Sequence, residues 1–376
     1  MNETIKKISS HFDIWGDFLW CERYGSGHIN DTYLAVFNQA GYQVRYILQR
    51  INTNIFKQPE QLMENISRVL NHSKAKLEGQ KDATRRALTI INTQDGKPFY
   101  IDEEGKYWRS YLFIERARTY DVLESPEFAY QAAKAFGSFQ KLLADIPGER
   151  LHETIPNFHN TPSRVADFDK ALAADVMGRA ESAKAEIEFV QSHRAMASKL
   201  LDLMAKGEIP ERITHNDTKI NNVMLDDESG EGICVIDLDT IMPGISLYDF
   251  GDLVRTSTSP AAEDEKDLSK VYARMEMFEA LARGFLEGAG GCLTPAEIEN
   301  MPFSGMLITF EIGVRFLTDY LDGDKYFKTH REGHNLDRCR TQFKLISDME
   351  EHWEEMERII AEEHQRLENG VCCQNS

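Results

Sequence analysis

Between residues 18 and 116 the apolar positions come in short runs. Tyr33-Leu34-Ala35-Val36-Phe37 and Val44-Arg45-Tyr46-Ile47-Leu48-Gln49 flank the polar stretch Asn38-Gln39-Ala40-Gly41 and predict a β-hairpin. Leu88 to Ile91, Phe99 to Ile101 and Trp108 to Ile114 read as further strands, with turns at Asp95-Gly96 and Glu104-Gly105. One helix interrupts them, from Pro59 to Lys76, with Leu62, Ile66, Val69 and Leu70 on one face.

After Arg116 the period changes to that of helices. Ser125-Pro126 is an N-cap followed by proline at the first helical position. Phe128, Ala132, Phe136, Phe139 and Leu143 then recur at helical spacing up to Ala144. A second helical pattern runs from Val165 to Lys206. A C-terminal one carries Phe343, Ile346, Met349, Trp353, Met356 and Ile360 and is expected to stop near Gly370. Between these lies a β island. Ile213 leads into His215-Asn216-Asp217-Thr218-Lys219-Ile220-Asn221-Asn222, and Val223 to Leu225 and Ile233 to Ile236 form a hairpin across 226–232. A strand-rich lobe over 1–116 and a mostly helical lobe over 117–376 follow from this order, an α+β class.

At 376 residues the chain is long enough for two lobes. Its 41% hydrophobic content and mean hydropathy of −0.46 are those of a globular protein. Lys and Arg total 43 against 62 Asp and Glu, a formal charge of −19. That balance argues against nucleic acid or an anionic membrane as partner. No apolar h-region opens the chain, and no run approaches the roughly 18 apolar residues of a membrane span. Six scattered cysteines without CxxC spacing suggest reduced thiols and a cytoplasmic protein, with no zinc site and no disulfide framework.

The β island carries the chemistry. Phosphoryl transfer from ATP requires a carboxylate near the attacking hydroxyl and oxygen ligands for Mg²⁺. Asp217, Asn222 five residues on, and Asp237 after the hairpin supply that set. Asp217 would orient the hydroxyl and accept its proton late; Asn222 and Asp237 would hold the ion. Asp239 is either a further ligand or points elsewhere. His215 is expected to shape the loop through its backbone contacts, and Asp249 to buttress it. Lys219 either steadies the γ-phosphate or is structural. Gly25, Ser26, Gly27 and His28 lie between two strands where backbone N–H groups can approach phosphate oxygens. A P-loop is absent.

His215-Asn216-Asp217, Asn222, Ile236-Asp237-Leu238-Asp239 and Tyr248-Asp249 resemble the aminoglycoside phosphotransferase and choline kinase superfamily. The N-acetylhexosamine 1-kinase family is closer still: Gly25 to Tyr33, Leu48 to Asn52, Ile155 to His159, His215 to Asn222 and Arg315 to Phe327 carry that resemblance. It implies a bilobal, protein-kinase-like fold that phosphorylates the anomeric hydroxyl of N-acetylglucosamine or N-acetylgalactosamine, with ATP and Mg²⁺. It carries Asp217 over as base, Asn222 and Asp237 as metal ligands, and Arg315 and Tyr326 as residues near the sugar. For these last two an ordinary salt bridge and a packing tyrosine are the alternatives. Asn30 replaces the third glycine of protein kinases. Where their lysine stands this chain has Leu48-Gln49-Arg50, so Arg50 either takes the phosphates, paired with Glu60 or Glu64, or is a surface residue. Two other functions are open: a kinase of amino alcohols or aminoglycosides, and a catalytically silent nucleotide-binding regulator.

Overall fold

The structure is a computed structural model that describes residues 1–25, 27, 29–121 and 125–374, with side chains as far as residue 369. Helix α1 (Asn2–Ser9) precedes β1 (Asp17–Arg23), β2 (Asp31–Gln39) and β3 (Tyr42–Arg50); α2 (Pro59–Leu77) and the short strands β4 (Ile90–Ile91), β5 (Tyr100–Ile101), β6 (Tyr107–Leu112) and β7 (Ala117–Arg118) follow. The expected hairpin forms, with β2 and β3 antiparallel from Asp31↔Arg50 to Gln39↔Tyr42. Its turn residues Ala40 and Gly41 have φ of 52° and 92°, both left-handed. Such a turn matches the twist of the strands it joins. The sheet order is β1-β2-β3-β6-β4, with β5 beside β6. Ile5, Ile8 and Phe12 pack on its Cys21, Ala35, Phe37, Leu48 and Trp108.

The remainder is mostly helical: α3 (Pro126–Leu143), α4 (Thr161–Ala174), α5 (Lys184–His193), α6 (Lys199–Ala205), then β8 (Arg212–Thr214), the hairpin β9 (Val223–Asp226) and β10 (Gly232–Val235), and β11 (Met242–Gly244). Helices α7 (Ser246–Ser257), α8 (Met275–Ala289), α9 (Pro295–Glu299), α10 (Met301–Asp322), α11 (His334–Glu351) and α12 (Trp353–Gln374) complete it. Ser125 caps α3 as expected, its hydroxyl accepting from the Phe128 N–H at 3.4 Å.

Two helical expectations need correction. The pattern from Val165 to Lys206 is broken after Ala174, where Asp175 turns left-handed at φ 32°. Its carboxylate accepts from the Arg179 and Ala180 N–H groups instead. The C-terminal stripe is two helices, interrupted at His352, and α12 continues past Gly370. A stripe of apolar residues registers the buried face but not a one-residue interruption.

The residues form two compact units. The first comprises 1–118, 145–156 and 224–242; the second comprises 119–144, 157–223 and 243–376. Buried Asn65 on α2 ties the first together. Its Nδ2 donates to the His152 carbonyl at 2.8 Å and the Ile241 carbonyl at 3.1 Å, and its Oδ1 accepts from the His152 N–H at 2.9 Å. Around it Leu62, Met63, Ile66 and Val69 are fully buried, each contributing about 1.5–3 kcal/mol.

In the second unit α3 and α8 touch through their backbones. A Cβ on Gly137 would sit 2.2 Å from the Phe285 carbonyl oxygen, and one on Gly284 2.2 Å from that of Tyr130. No side chain fits there. Val165, Phe168, Phe310, Val314, Leu317 and Phe343 form the other part of this unit's core. No described helix is long and apolar enough to cross a membrane.

Candidate active site

In the second unit, the chain leaves β8 with Thr214 and His215 buried and turns at Asn216, whose φ is 64°. Asparagine tolerates that conformation better than most residues. Its amide also closes a local ring: Thr214 Oγ1 donates to Asn216 Oδ1 at 2.8 Å, and Nδ2 donates to the Thr214 carbonyl at 3.1 Å. Gly244 permits the approach, since a Cβ there would lie 2.2 Å from Thr214 Oγ1.

Asp249, on α7 and fully buried, holds this turn. Its carboxylate accepts from the His215 N–H at 3.0 Å, the Asn216 N–H at 2.7 Å and Gln140 Nε2 at 2.5 Å. Its carbonyl accepts from Thr218 Oγ1 at 2.6 Å. Burial raises its pKa above the ordinary carboxylate value. The His215 ring accepts from the Asp217 N–H at 3.3 Å. Both residues therefore shape the loop, as their positions suggested.

Asp217 is half-buried. Lys219 Nζ lies 2.9 Å from its Oδ1, and Asn222 Nδ2 donates to its Oδ2 at 3.1 Å and to its carbonyl at 2.7 Å. Burial pushes the carboxyl pKa up, but Lys219, helped by His215 and Arg255, outweighs burial and the net shift is downward. The group is thus an ionised acceptor with two fixed partners. Asp217 in turn raises the Lys219 pKa.

Behind the loop stands a pair that sequence reasoning missed. His159 Nε2 faces the Asn216 carbonyl at 3.1 Å, and Nδ1 faces Glu311 Oε1 at 2.8 Å. Both ring nitrogens meet acceptors, so the imidazolium is the form that satisfies them. Burial lowers the His159 pKa, yet the Glu311 carboxylate outweighs it and the net shift is upward. Glu311 Oε2 accepts from Thr161 Oγ1 at 2.7 Å. One turn further along α10, Arg315 lies 5.8 Å from the Tyr326 ring centroid and 5.6 Å from that of Phe327. Asp319 brings these aromatics there, accepting from the N–H groups of Lys325, Tyr326 and Phe327. Tyr326 is exposed and is not a core tyrosine; Arg315 lies against aromatic rings and has no salt bridge among the described residues.

In the first unit, Gly25 has φ 79°, a conformation only glycine adopts readily. Ser26 and His28 lie outside the described residues. Asn30, where protein kinases have glycine, is a tie: its Oδ1 accepts from the Asn52 N–H at 3.0 Å and its Nδ2 donates to Asp239 Oδ2 at 2.5 Å. Asp239 sits in a short 3₁₀ turn rather than on a strand. Its other oxygen pairs with Arg109, which is entirely enclosed and also donates from Nε to Gln49 Oε1 at 3.0 Å. Asp239 is therefore committed within the protein. Asp237 precedes it in left-handed conformation, φ 58°, and is exposed.

Arg50 pairs with Asp31, its Nε at 2.9 Å from Oδ2. Neither helical glutamate joins it. Glu60 accepts from Tyr107 at 3.3 Å, and Glu64 meets His152 at 2.9 Å. The enclosed cation of this sheet is Arg109, not Arg50. A charged residue inside the strand Tyr107-Trp108-Arg109-Ser110-Tyr111 was the available signal.

Residues 20–286 match the phosphotransferase enzyme family APH, more than half of the chain. The chain belongs to this family. Solved phosphotransferases share its fold. A microcompartment-associated aminopropanol kinase superposes with a TM-score of 0.57 at 15% identity, covering 95% of this chain and 99% of that one. A spectinomycin phosphotransferase in complex with ADP and spectinomycin gives 0.52 at 15% identity, with 92% and 96% covered. A choline kinase from Cryptosporidium parvum gives 0.54 at 13% identity, with 93% and 92% covered. The expected protein-kinase-like α+β fold is thereby established, and this APH-family chain is a phosphotransferase by kinship.

Proposed function

We propose that this phosphotransferase is an ATP-dependent sugar kinase that converts N-acetylhexosamines to their 1-phosphates. The observation that carries the reading is Asp217: ionised, half-buried and held from both sides by Lys219 and Asn222. Such a carboxylate orients the C1 hydroxyl, accepts its proton as the oxygen attacks the γ-phosphorus, and ADP leaves. A loose transition state asks for positioning rather than basicity, which suits a lowered pKa.

Asn222 and Asp237 are the proposed Mg²⁺ ligands. Asn222 makes its hydrogen bonds through Nδ2, so its amide oxygen, a hard donor, is the group offered to an ion. Among the described residues no cluster of three or more His, Cys, Asp or Glu is arranged to hold a metal. That agrees with Mg²⁺, which takes much of its shell from phosphates and water. The ion would neutralise charge on the transferred phosphoryl group. Gly25, Ser26, Gly27, His28 and Arg50 are assigned to the nucleotide, in keeping with the ADP bound by the spectinomycin phosphotransferase. A cytoplasmic location belongs to the same proposal; among the described residues Cys21, Cys234, Cys292 and Cys339 are free.

The rival reading is a cationic acceptor, an amino alcohol or aminoglycoside, as the names of the solved relatives suggest. Arg315 and Tyr326 speak for the sugar. A guanidinium beside the acceptor repels ammonium groups, whereas carboxylates would attract them. ADP release measured across N-acetylhexosamines, other sugars, choline and aminoglycosides tests this. Turnover confined to hexosamines is expected. Turnover of choline or an aminoglycoside alone overturns the sugar assignment, and loss of all turnover points to the silent regulator.

A further inference from the structure

Within the second unit α4 and α10 run in the same direction. Thr161, at the start of α4, donates to Glu311 on α10, and Arg179, just beyond the end of α4, donates to the Tyr320 carbonyl at 2.8 Å. Three residues on from Thr161 is Arg164; four on from Glu311 is Arg315. Residues three and four apart share a helix face, so the two guanidinium groups stand at one level, a turn beyond the Thr161–Glu311 contact.

Neither has a carboxylate partner within ion-pair distance among the described residues. Arg164 donates from one terminal nitrogen to the Phe158 carbonyl at 2.9 Å, while its Nε is buried with no partner. Arg315 lies against the Tyr326 and Phe327 rings and interacts at longer range with Glu311 and Arg164. The nearest acid, Glu311, has one oxygen on His159 and the other on Thr161. Asp167, the other acid acting on Arg164, pairs with Lys170. Burial first, and Arg315 second, lower the Arg164 pKa. Two half-buried cations, with a buried donor left unsatisfied, are a costly arrangement unless an anion completes it. Carboxylate and phosphate oxygens match the planar fork of a guanidinium.

We propose that Arg164 and Arg315 form an oxyanion subsite for the acceptor, so that the preferred N-acetylhexosamine is an acidic derivative, bearing either a carboxylate or a phosphate at the end away from C1. The inference rests on the reading of Arg315 as an acceptor-facing residue. His159 links the subsite to the catalytic loop, touching Glu311 on one side and the carbonyl preceding Asp217 on the other. In this arrangement the sugar sets C1 at Asp217 and its far carbons toward the arginines. Arg164 would be a specificity residue for that end.

Calorimetric titration without nucleotide tests it, with N-acetylglucosamine, its 6-phosphate and N-acetylglucosaminuronic acid as probes. At least one acid should bind about tenfold or more tighter than the neutral sugar, and which acid does so identifies the source of the oxyanion. The preference should fall about tenfold in R164Q and in R315Q and be partly kept in R164K. If R164Q melts early, R315Q and R164K carry the comparison. Equal binding of neutral and acidic sugars, or a preference unchanged in R315Q, overturns the proposal. Binding with this pattern but no ADP release sinks the kinase reading and leaves the subsite standing.

Discussion

In the first unit Arg109 is enclosed and its partner Asp239 has both oxygens engaged, one by Arg109 and one by Asn30. In the second, Asp217 remains half-open, with Lys219 as an exposed partner, and among the described residues no carboxylate stands at ion-pair distance from Arg164 or Arg315. Both units place charge in costly surroundings. The Arg109–Asp239 pair of the first closes its charges on one another, which gives stability and a fixed geometry but leaves that pair nothing to react. The second leaves valences directed outward, as a site that must exchange ligands requires.

The widest separation between the two should come from Asp217→Asn. Turnover is expected to fall about 10²–10⁴-fold, measured by ADP release with the best acceptor. Stability should change by less than about 1 kcal/mol, because the pair with Lys219 is partly solvated. A denaturation midpoint shifted as far as that of an Arg109 variant would erase the contrast.

Arg109→Met should behave in the opposite way. It leaves Asp239 enclosed without its cation, a loss of about 3–5 kcal/mol in urea unfolding. A variant as stable as the parent would show that the first unit does not depend on its closed pair.

His159→Gln lies between these extremes and carries a pH signature. The His159 pKa is raised from 6.5, so its contribution is complete below that value and is lost as pH rises through the folded-state pKa. The Glu311 pKa is lowered from 4.5, so its contribution is complete above that value and is lost as pH falls. The variant should therefore be less stable by about 1–3 kcal/mol, most of all between pH 4.5 and 6.5, with the deficit shrinking at higher pH. Melting curves across that range would show it, and a pH-independent deficit would refute the imidazolium–carboxylate pairing.

The smallest effect on stability belongs to Arg50→Ala. Its pair with Asp31 is half-exposed, so about 0–1 kcal/mol is expected. That makes the variant a clean probe of function. A several-fold rise in the KM for ATP without loss of stability would place Arg50 on the phosphates, and an unchanged KM would make it a surface residue.

How far these features could be read from the chain follows their separation along it. Asp217, Lys219 and Asn222 fall within six residues, so their grouping is visible in the spacing, although the Lys219–Asp217 pair and the Asn222–Asp217 bond are not. The β2–β3 hairpin was legible for the same reason: a two-residue turn chemistry is local. Asn65, by contrast, reads as one more polar position on an amphipathic helix, and its partners are 87 and 176 residues away. The pairing of Arg109 with Asp239 spans 130 residues, and that of His159 with Glu311 spans 152. Only the place of Arg109 inside a strand, where Arg50 stands at the end of one, hinted at which cation is enclosed.

By itself the sequence determined the α+β order, the hairpins, the loop around Asp217 and the phosphotransferase class, because each depends on periodicity or on short spacing. Only the tertiary structure decided which charges are closed and which remain open. Burial and the choice of partner depend on how distant segments pack, and so Asp239 became a structural anchor, Glu60 and Glu64 found other partners, and Arg164 came level with Arg315.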